Sequence, residues 1–124
     1  MIRISIITVV LNDKRGLTKT LKSLGQIDKD TYEHVIIDGG SIDGSLDIVK
    51  DFSARIDIVI SESDSGTYDA MNKGVLHATG NVICFLNAGD IVLEGYISYP
   101  AGCFSVNNDI DYCYAGVILQ GRNK

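Results

Sequence analysis

Three polar segments in this 124-residue chain hold residue types that could bind or transform a ligand. The first, Asp38-Gly39-Gly40-Ser41-Ile42-Asp43-Gly44, follows a β-branched apolar run and sets a carboxylate beside glycines that let a ligand approach the backbone closely. A carboxylate in that place accepts hydrogen bonds from a ligand N–H or hydroxyl. The segment lacks the Gly-Lys-Ser/Thr of a phosphate-cradling loop and the GxGxxG of a dinucleotide fold, and its ligand spacing is wrong for an EF-hand. The competing reading is a polar turn, with Asp43 capping the next helix; for Asp43 itself capping is the better reading.

The second segment, Asn87-Ala88-Gly89-Asp90, follows the apolar run VICFL. A carboxylate here suits a hard divalent cation, Mg or Mn, that shares a diphosphate, because such ions prefer oxygen and keep water or substrate phosphate in their shell. Read alone, the segment is better taken as a turn or helix cap. The third runs from Glu62 through Asp64, Gly66 and Asp69 to Lys73 and Gly74. Its Lys73 could face a phosphate and its helix N-terminus could orient donors toward an anion, or Lys73 is an ordinary solvated residue. His34 and His77 have no partner at metal or catalytic spacing and read as surface or capped residues. Asp109-Ile110-Asp111 is an Asp-x-Asp that precedes a strand instead of following one, and is treated as a decoy. Cys84, Cys103 and Cys113 lack CxxC spacing and read as reduced core thiols.

The elements that must position these segments alternate. Residues 2–11, IRISIITVVL, are too continuously apolar for a one-sided strand and predict a strand covered on both faces. Leu17, Leu21 and Leu24 give a helix over 14–24 that stops at Gly25. Further strands are predicted at 32–37, 56–60, 81–86 and 111–119. Helices are predicted at 45–52, at 67–78 with an apolar face of Ala70, Met71, Val75 and Ala78, and as a short piece within 91–108. This order predicts an α/β fold, a doubly wound, mostly parallel, Rossmann-like sheet. In such a sheet ligands bind beyond the carboxyl ends of the strands, where Asn12 and Asp13, Asp38, and Asn87 with Asp90 would gather.

Composition agrees with one ordinary domain: 22% charged, 45% hydrophobic, 13 glycines and one proline. The net charge of -5, with scattered Lys and Arg, gives no reason to expect a nucleic-acid partner. No run approaches the ~18 apolar residues of a membrane span, and Met1 leads straight into strand-like sequence. The expected location is cytoplasmic.

In combination, SIITVVLN, VIIDGGSIDGSLDIV and SESDSGTYDAMNKGVLHATGNVICFLNAGD, taken in order over roughly residues 3–93, resemble the inverting glycosyltransferase family 2, especially bacterial members that decorate polysaccharides. The resemblance implies a GT-A fold, a nucleotide-sugar donor, a Mn or Mg ion, and transfer of the sugar to an acceptor hydroxyl on a saccharide or glycolipid. Through it, Thr8 would line the nucleotide pocket with Asn12 nearby, Asp38 would contact the uracil ring, and Asp69 and Lys73 would border the donor. Leu11 and Met71 stand where many relatives have an aromatic residue and an Arg. Gly89 replaces the first acid of the family's metal motif, which leaves Asp90 as the metal ligand. The general base would come from a later acidic motif that this chain does not match, so it is expected beyond Lys124. Residues 1–124 then read as a single donor-binding domain of a longer transferase, located in the cytoplasm or at the inner face of a membrane. A missing half would leave apolar surface through which the chain could self-associate. Two readings compete. One is a receiver-type phosphoacceptor domain, which needs a Lys at the end of strand five where Val117-Ile118-Leu119 stands. The other is a non-catalytic nucleotide-binding or interaction module.

Overall fold

The computed structural model describes residues 2–93 and 95–106. Among these, four strands, β1 (Ile4–Val10), β2 (Tyr32–Asp38), β3 (Ile58–Ser61) and β4 (Val82–Phe85), form a wholly parallel sheet in the order β3-β2-β1-β4. The helices are α1 (Lys14–Leu24), α2 (Ser45–Asp51), α3 (Thr67–His77) and α4 (Ser98–Val106). The α/β alternation read from the sequence is the fold that forms. Strands β3 and β4 are shorter than their apolar runs, because residues 53–55 coil into a 3₁₀ turn and Asn81 stays outside the ladder. The strand expected at 111–119, Cys113 and the Asp109/Asp111 pair lie outside the described residues. So does Lys124, and the expectation of a general base beyond it therefore falls outside them too.

Every residue of β1 and β2 is buried, as expected of strands covered on both faces. On one face Val10 and Ile36 pack under Leu17 and Leu21 of α1 and Val49 of α2, while Ile4 and Ile6 meet Leu24 and the segment leading into α4. On the other, Ile7, Val9, Val35 and Ile37 pack against Ala70 of α3. The chain therefore winds in both directions from β1, and the order reverses between β1 and β4. That reversal opens a crevice at the carboxyl ends of the strands.

Two expectations are corrected. Val75 is not on the buried face of α3 but 46% exposed, because the helix seats Ala70 and Gly74 on the sheet. Any Cβ at Gly74 would collide with Ile7, so the glycine sets how closely α3 approaches and which way it turns. His34 is not a surface residue; it is 1% exposed, within 2.8 Å of the Thr8 hydroxyl through Nε2, while its backbone N–H donates to Asp57 Oδ2. Cys84 and Cys103 lie outside any disulfide and are only half-buried.

Burial holds the His34 imidazole neutral and pushes its pKa down from 6.5 to about 4. The unfolded chain takes up this proton near pH 6.5, so the contribution to stability is fully present above that pH and lost as the pH falls toward 4. Roughly 2 kcal/mol of it is gone by pH 5. Urea midpoints at pH 7.5 and pH 5 should therefore differ more for the wild type than for His34→Gln, whose side chain has no proton to gain; equal differences would contradict this account.

Candidate functional site

The carboxyl ends of the four strands bring the singled-out loops to one edge. At the end of β2, Asp38 is 0% exposed, and its Oδ2 accepts hydrogen bonds from Gly40 N (3.0 Å), Ser41 N (3.0 Å) and Ser61 Oγ (2.8 Å). Its Oδ1 is buried and has no partner. Burial acts to raise the carboxyl pKa, but the donors of Ser41, Ser61 and Gly40 outweigh it and hold Asp38 below the usual carboxylate value. The group is thus held as an anion at neutral pH, one oxygen fixed by three donors and the other buried and unpaired at the end of β2. Gly40, at φ 96°, turns the loop back on that carboxylate, and a Cβ at Gly39 would lie 2.9 Å from Asp64 Oδ2 of the neighbouring loop.

Asn12 and Asp43 tie this loop to the one after β1. Asn12, itself at φ 49°, accepts from Ile42 N through Oδ1 (2.7 Å), and its own N–H donates to Ser41 Oγ (2.8 Å). Asp43 accepts from Ser45 N and Oγ and from Lys14 N, so it caps the starts of α2 and α1 together, in keeping with its reading as a cap. At the reversal between β1 and β4, Asp13 caps α1 through Gly16 N with Oδ1, and its Oδ2 is 3.8 Å from where a Cβ on Gly89 would stand. The β4 loop is fastened to α1 by Thr20, whose hydroxyl donates to Asp90 O (2.6 Å) and accepts from Gly89 N (3.0 Å). Asp90 is exposed and closes its own turn, with Oδ2 accepting from Asn87 N (3.0 Å), while Asn87 Oδ1 is buried without a partner.

On the β3 side, Lys73 does not present a free ammonium. It pairs with Glu62 (3.2 Å), lies 3.9 Å from Asp69, and donates to Ser63 O (3.2 Å). Asp69 accepts from Ser65 N at the start of α3. These two residues thus brace the loop that faces Gly39 and Gly40. Thr8 departs furthest from expectation: it sits two residues short of the strand end, wholly buried and engaged with His34, so it presents no surface at the edge.

The match to known proteins decides the family. The model of "Glycosyl transferase family 2" covers residues 5–113. The chain belongs to glycosyl transferase family 2. A family relative from Mycobacterium bovis, "PGL/p-HBAD biosynthesis glycosyltransferase", is 35% identical over 123 residues, 96% of this chain and 48% of that protein. An uncharacterized glycosyltransferase of Mycobacterium tuberculosis is 40% identical over 88 residues, 70% of this chain and 34% of that protein. Among solved structures, Staphylococcus aureus TarS 1-349 in complex with UDP-GlcNAc superposes with a TM-score of 0.77 at 22% identity, over 86% of this chain and 32% of that one. The mannosyltransferase PcManGT of Pyrobaculum calidifontis, in complex with GDP-Man and Mn2+, gives 0.63 at 22% identity over 71% of this chain and 28% of that one. The fold is therefore the GT-A fold, and the chain spans about half or less of the length of these relatives. The receiver-type reading is set aside.

Membership in family 2 raises the question of a divalent cation. Among the described residues no three His, Cys, Asp or Glu side chains gather into a metal-holding cluster. The donors at the crevice are nonetheless carboxylate oxygens: those of the exposed Asp90, with Asp13 Oδ2 beside Gly89. Such a set fits a hard ion whose shell is completed by water and donor phosphate, and does not fit an ion caged by protein alone. Sequence reasoning does not single out Ser61, which fixes Asp38, or Thr20, which fixes Gly89-Asp90. Their only signal is position, one at a strand end and one on the buried side of α1. Among the described residues no helix is long and apolar enough to cross a membrane.

Proposed function

We infer that residues 1–124 form the donor-binding domain of a transferase that moves a sugar from a uridine-diphosphate sugar to an acceptor hydroxyl of a saccharide or glycolipid. The observation that carries this reading is the unpartnered Oδ1 of Asp38: a buried anionic acceptor at the edge where the GT-A fold binds, held in place by three donors to its other oxygen. A buried acceptor left unsatisfied costs free energy that a ligand N–H recovers, and uracil offers one at N3. The UDP-GlcNAc bound by TarS lends support to a uridine donor.

In this reading the chain's own residues bind and orient. Asp38 selects the base, while Asn12 and Asp43 hold the two loops that frame it. Lys73 and Asp69 stiffen the loop opposite, next to the glycines that leave room for the ligand. Asp90, with Asp13 alongside, would hold a Mn or Mg ion against the donor phosphates; such an ion offsets the negative charge that grows on the departing diphosphate. In this reading the general base for the acceptor hydroxyl is not among the described residues, whose part is to bind and orient the donor.

Calorimetry with UDP tests the reading. Binding should strengthen when Mn is added, and Asp90→Ala should remove most of that gain, roughly tenfold, while leaving metal-free binding close to the wild-type value. A folded wild-type chain that shows no heat with UDP under any metal condition would refute the donor assignment. Equal metal enhancement in Asp90→Ala would refute the metal assignment alone.

A further inference from the structure

The outward face of α1 is the strongest charged patch that the donor edge does not absorb. Arg15, Lys19 and Lys22 are exposed and spaced i, i+4 and i+7, which sets them on one stripe of the helix. Lys14 joins them at the head, its side chain lying over Gly44. With Thr18 they line a shallow groove of about 520 Å³. The helix contains no acidic residue, and no ion pair engages these four cations among the described residues. The two carboxylates at the groove head cap helix starts, Asp13 through Gly16 N and Asp43 through Lys14 N and Ser45, and keep their charge, so the groove sets four cations against two anions. Beside the stripe, α2 carries Asp47 and Asp51 with Lys50 between them. Glu62, Asp64 and Asp69 belong to the loop and helix that follow β3, and α3 covers the opposite face of the sheet. A chain of net charge -5 therefore presents one locally cationic face.

We propose that this face of α1 docks on an anionic phospholipid membrane. Charge complementarity supplies the attraction, and Ile42 favours a bilayer over a soluble polyanion. Its side chain is 92% exposed at the head of the stripe, where its backbone N–H is held by Asn12 Oδ1, and an uncovered apolar side chain adds to binding only at an interface with an apolar interior. Because α1 begins at the carboxyl edge of the sheet, a membrane along its stripe lies next to the donor edge. The docking stands on the stripe itself; its consequence, an acceptor carried by a membrane lipid, rests on the transferase reading above.

The test is co-sedimentation of the whole chain with vesicles of phosphatidylcholine alone or with roughly a third phosphatidylglycerol, the anionic component. The chain should sediment only with the anionic vesicles, and about 1 M salt, where the Debye length is near 3 Å, should release it. Each basic residue near such a surface is worth about a factor of five, so the triple variant Arg15→Ala, Lys19→Ala, Lys22→Ala should lose on the order of a hundredfold in partitioning. Ile42→Ser should weaken it further. The triple variant should bind UDP as the wild type does, which shows that it is folded. Equal sedimentation with both vesicle types, no sedimentation of the wild type at low salt, or unchanged partitioning of the triple variant would each overturn the proposal. Capture of soluble polyphosphate without vesicle binding would also overturn it and assign the stripe to a soluble polyanion. If neither wild type nor variant binds UDP while the vesicle results hold, the transferase reading fails and the docking stands.

Discussion

Asp38→Asn is expected to weaken UDP binding roughly 10- to 150-fold, the loss of one charge-assisted hydrogen bond of about 1.5–3 kcal/mol, while leaving the fold close to intact. The asymmetry of the carboxylate explains why. Oδ2 accepts from Gly40 N, Ser41 N and Ser61 Oγ, and the amide oxygen of Asn can take over that position with the same three donors. The amide nitrogen then replaces the unpartnered Oδ1 and, in the proposed reading, offers the ligand a donor where the carboxylate offered an acceptor. A uracil N3–H meets a donor and is rejected, whereas cytosine presents an acceptor at its N3. The wild type should therefore prefer UDP to CDP, and Asp38→Asn should narrow or reverse that preference. Asp38→Ala differs in kind, because it strands all three donors and costs stability as well, about 3 kcal/mol. Competition calorimetry with the two nucleotides separates these cases: an Asn variant with undiminished UDP preference would show that Asp38 only braces the loop.

Glu33→Ala is expected to be strongly destabilising although it lies away from the ligand edge, by about 3 kcal/mol, or a melting temperature lower by roughly 10 °C. Glu33 lies on the sheet face that α3 covers, nearly buried. Its Oε2 accepts from Ser5 Oγ (2.6 Å) and Thr79 N (2.8 Å), and its Oε1 from Thr79 Oγ1 (2.8 Å). Ser5 Oγ in turn accepts from Gly80 N (2.9 Å). The carboxylate thus fastens the α3–β4 connection to β1 and β2. Burial tends to raise its pKa, but the hydrogen bonds from Ser5 and Thr79 and the charge of Arg3 prevail and hold it below the ordinary carboxylate value. Its contribution is therefore present above the unfolded-state pKa and lost as the pH falls through the lower folded one. Glu33→Gln should cost far less, because the Thr79 hydroxyl can reverse and accept from the new amide. Thermal melts of the three proteins at neutral pH decide the point; equal losses for Ala and Gln would show that charge, not hydrogen-bond geometry, holds the connection.

The sequence made the architecture legible because β1 and β2 are continuous apolar runs and α1 has Leu at helical spacing, signals that tertiary packing reinforces. It also brought Asp38 and Asp90 to the carboxyl edge of the sheet, where the structure has them, since both follow apolar strands. What it could not show was where a given side chain turns. Thr8 and His34 are polar residues inside apolar strands, and only the sheet register makes them each other's partner within the core. Lys73 has an ordinary helical position; its capture by Glu62 and Ser63 depends on how the loop after β3 folds back. Val75 fits a helical stripe by spacing, but Gly74 lets α3 approach so closely that the stripe turns away from it. Ser61 and Thr20 act through contacts with residues 23 and 69–70 positions away, beyond the reach of any local pattern.

The central claim is that the carboxyl edge of the sheet, around Asp38 and the crevice between β1 and β4, binds the uridine diphosphate. Following the backbone amide resonances of the isotope-labelled chain during a UDP titration in the presence of Mg tests it residue by residue. The account predicts the largest shifts at Gly39, Gly40 and Ser41, with further shifts at Asn12 to Lys14 and at Ala88 to Asp90, and none at residues 26–33 on the far edge. Shifts confined to that far edge, or a folded chain whose spectrum does not change with UDP, would contradict it.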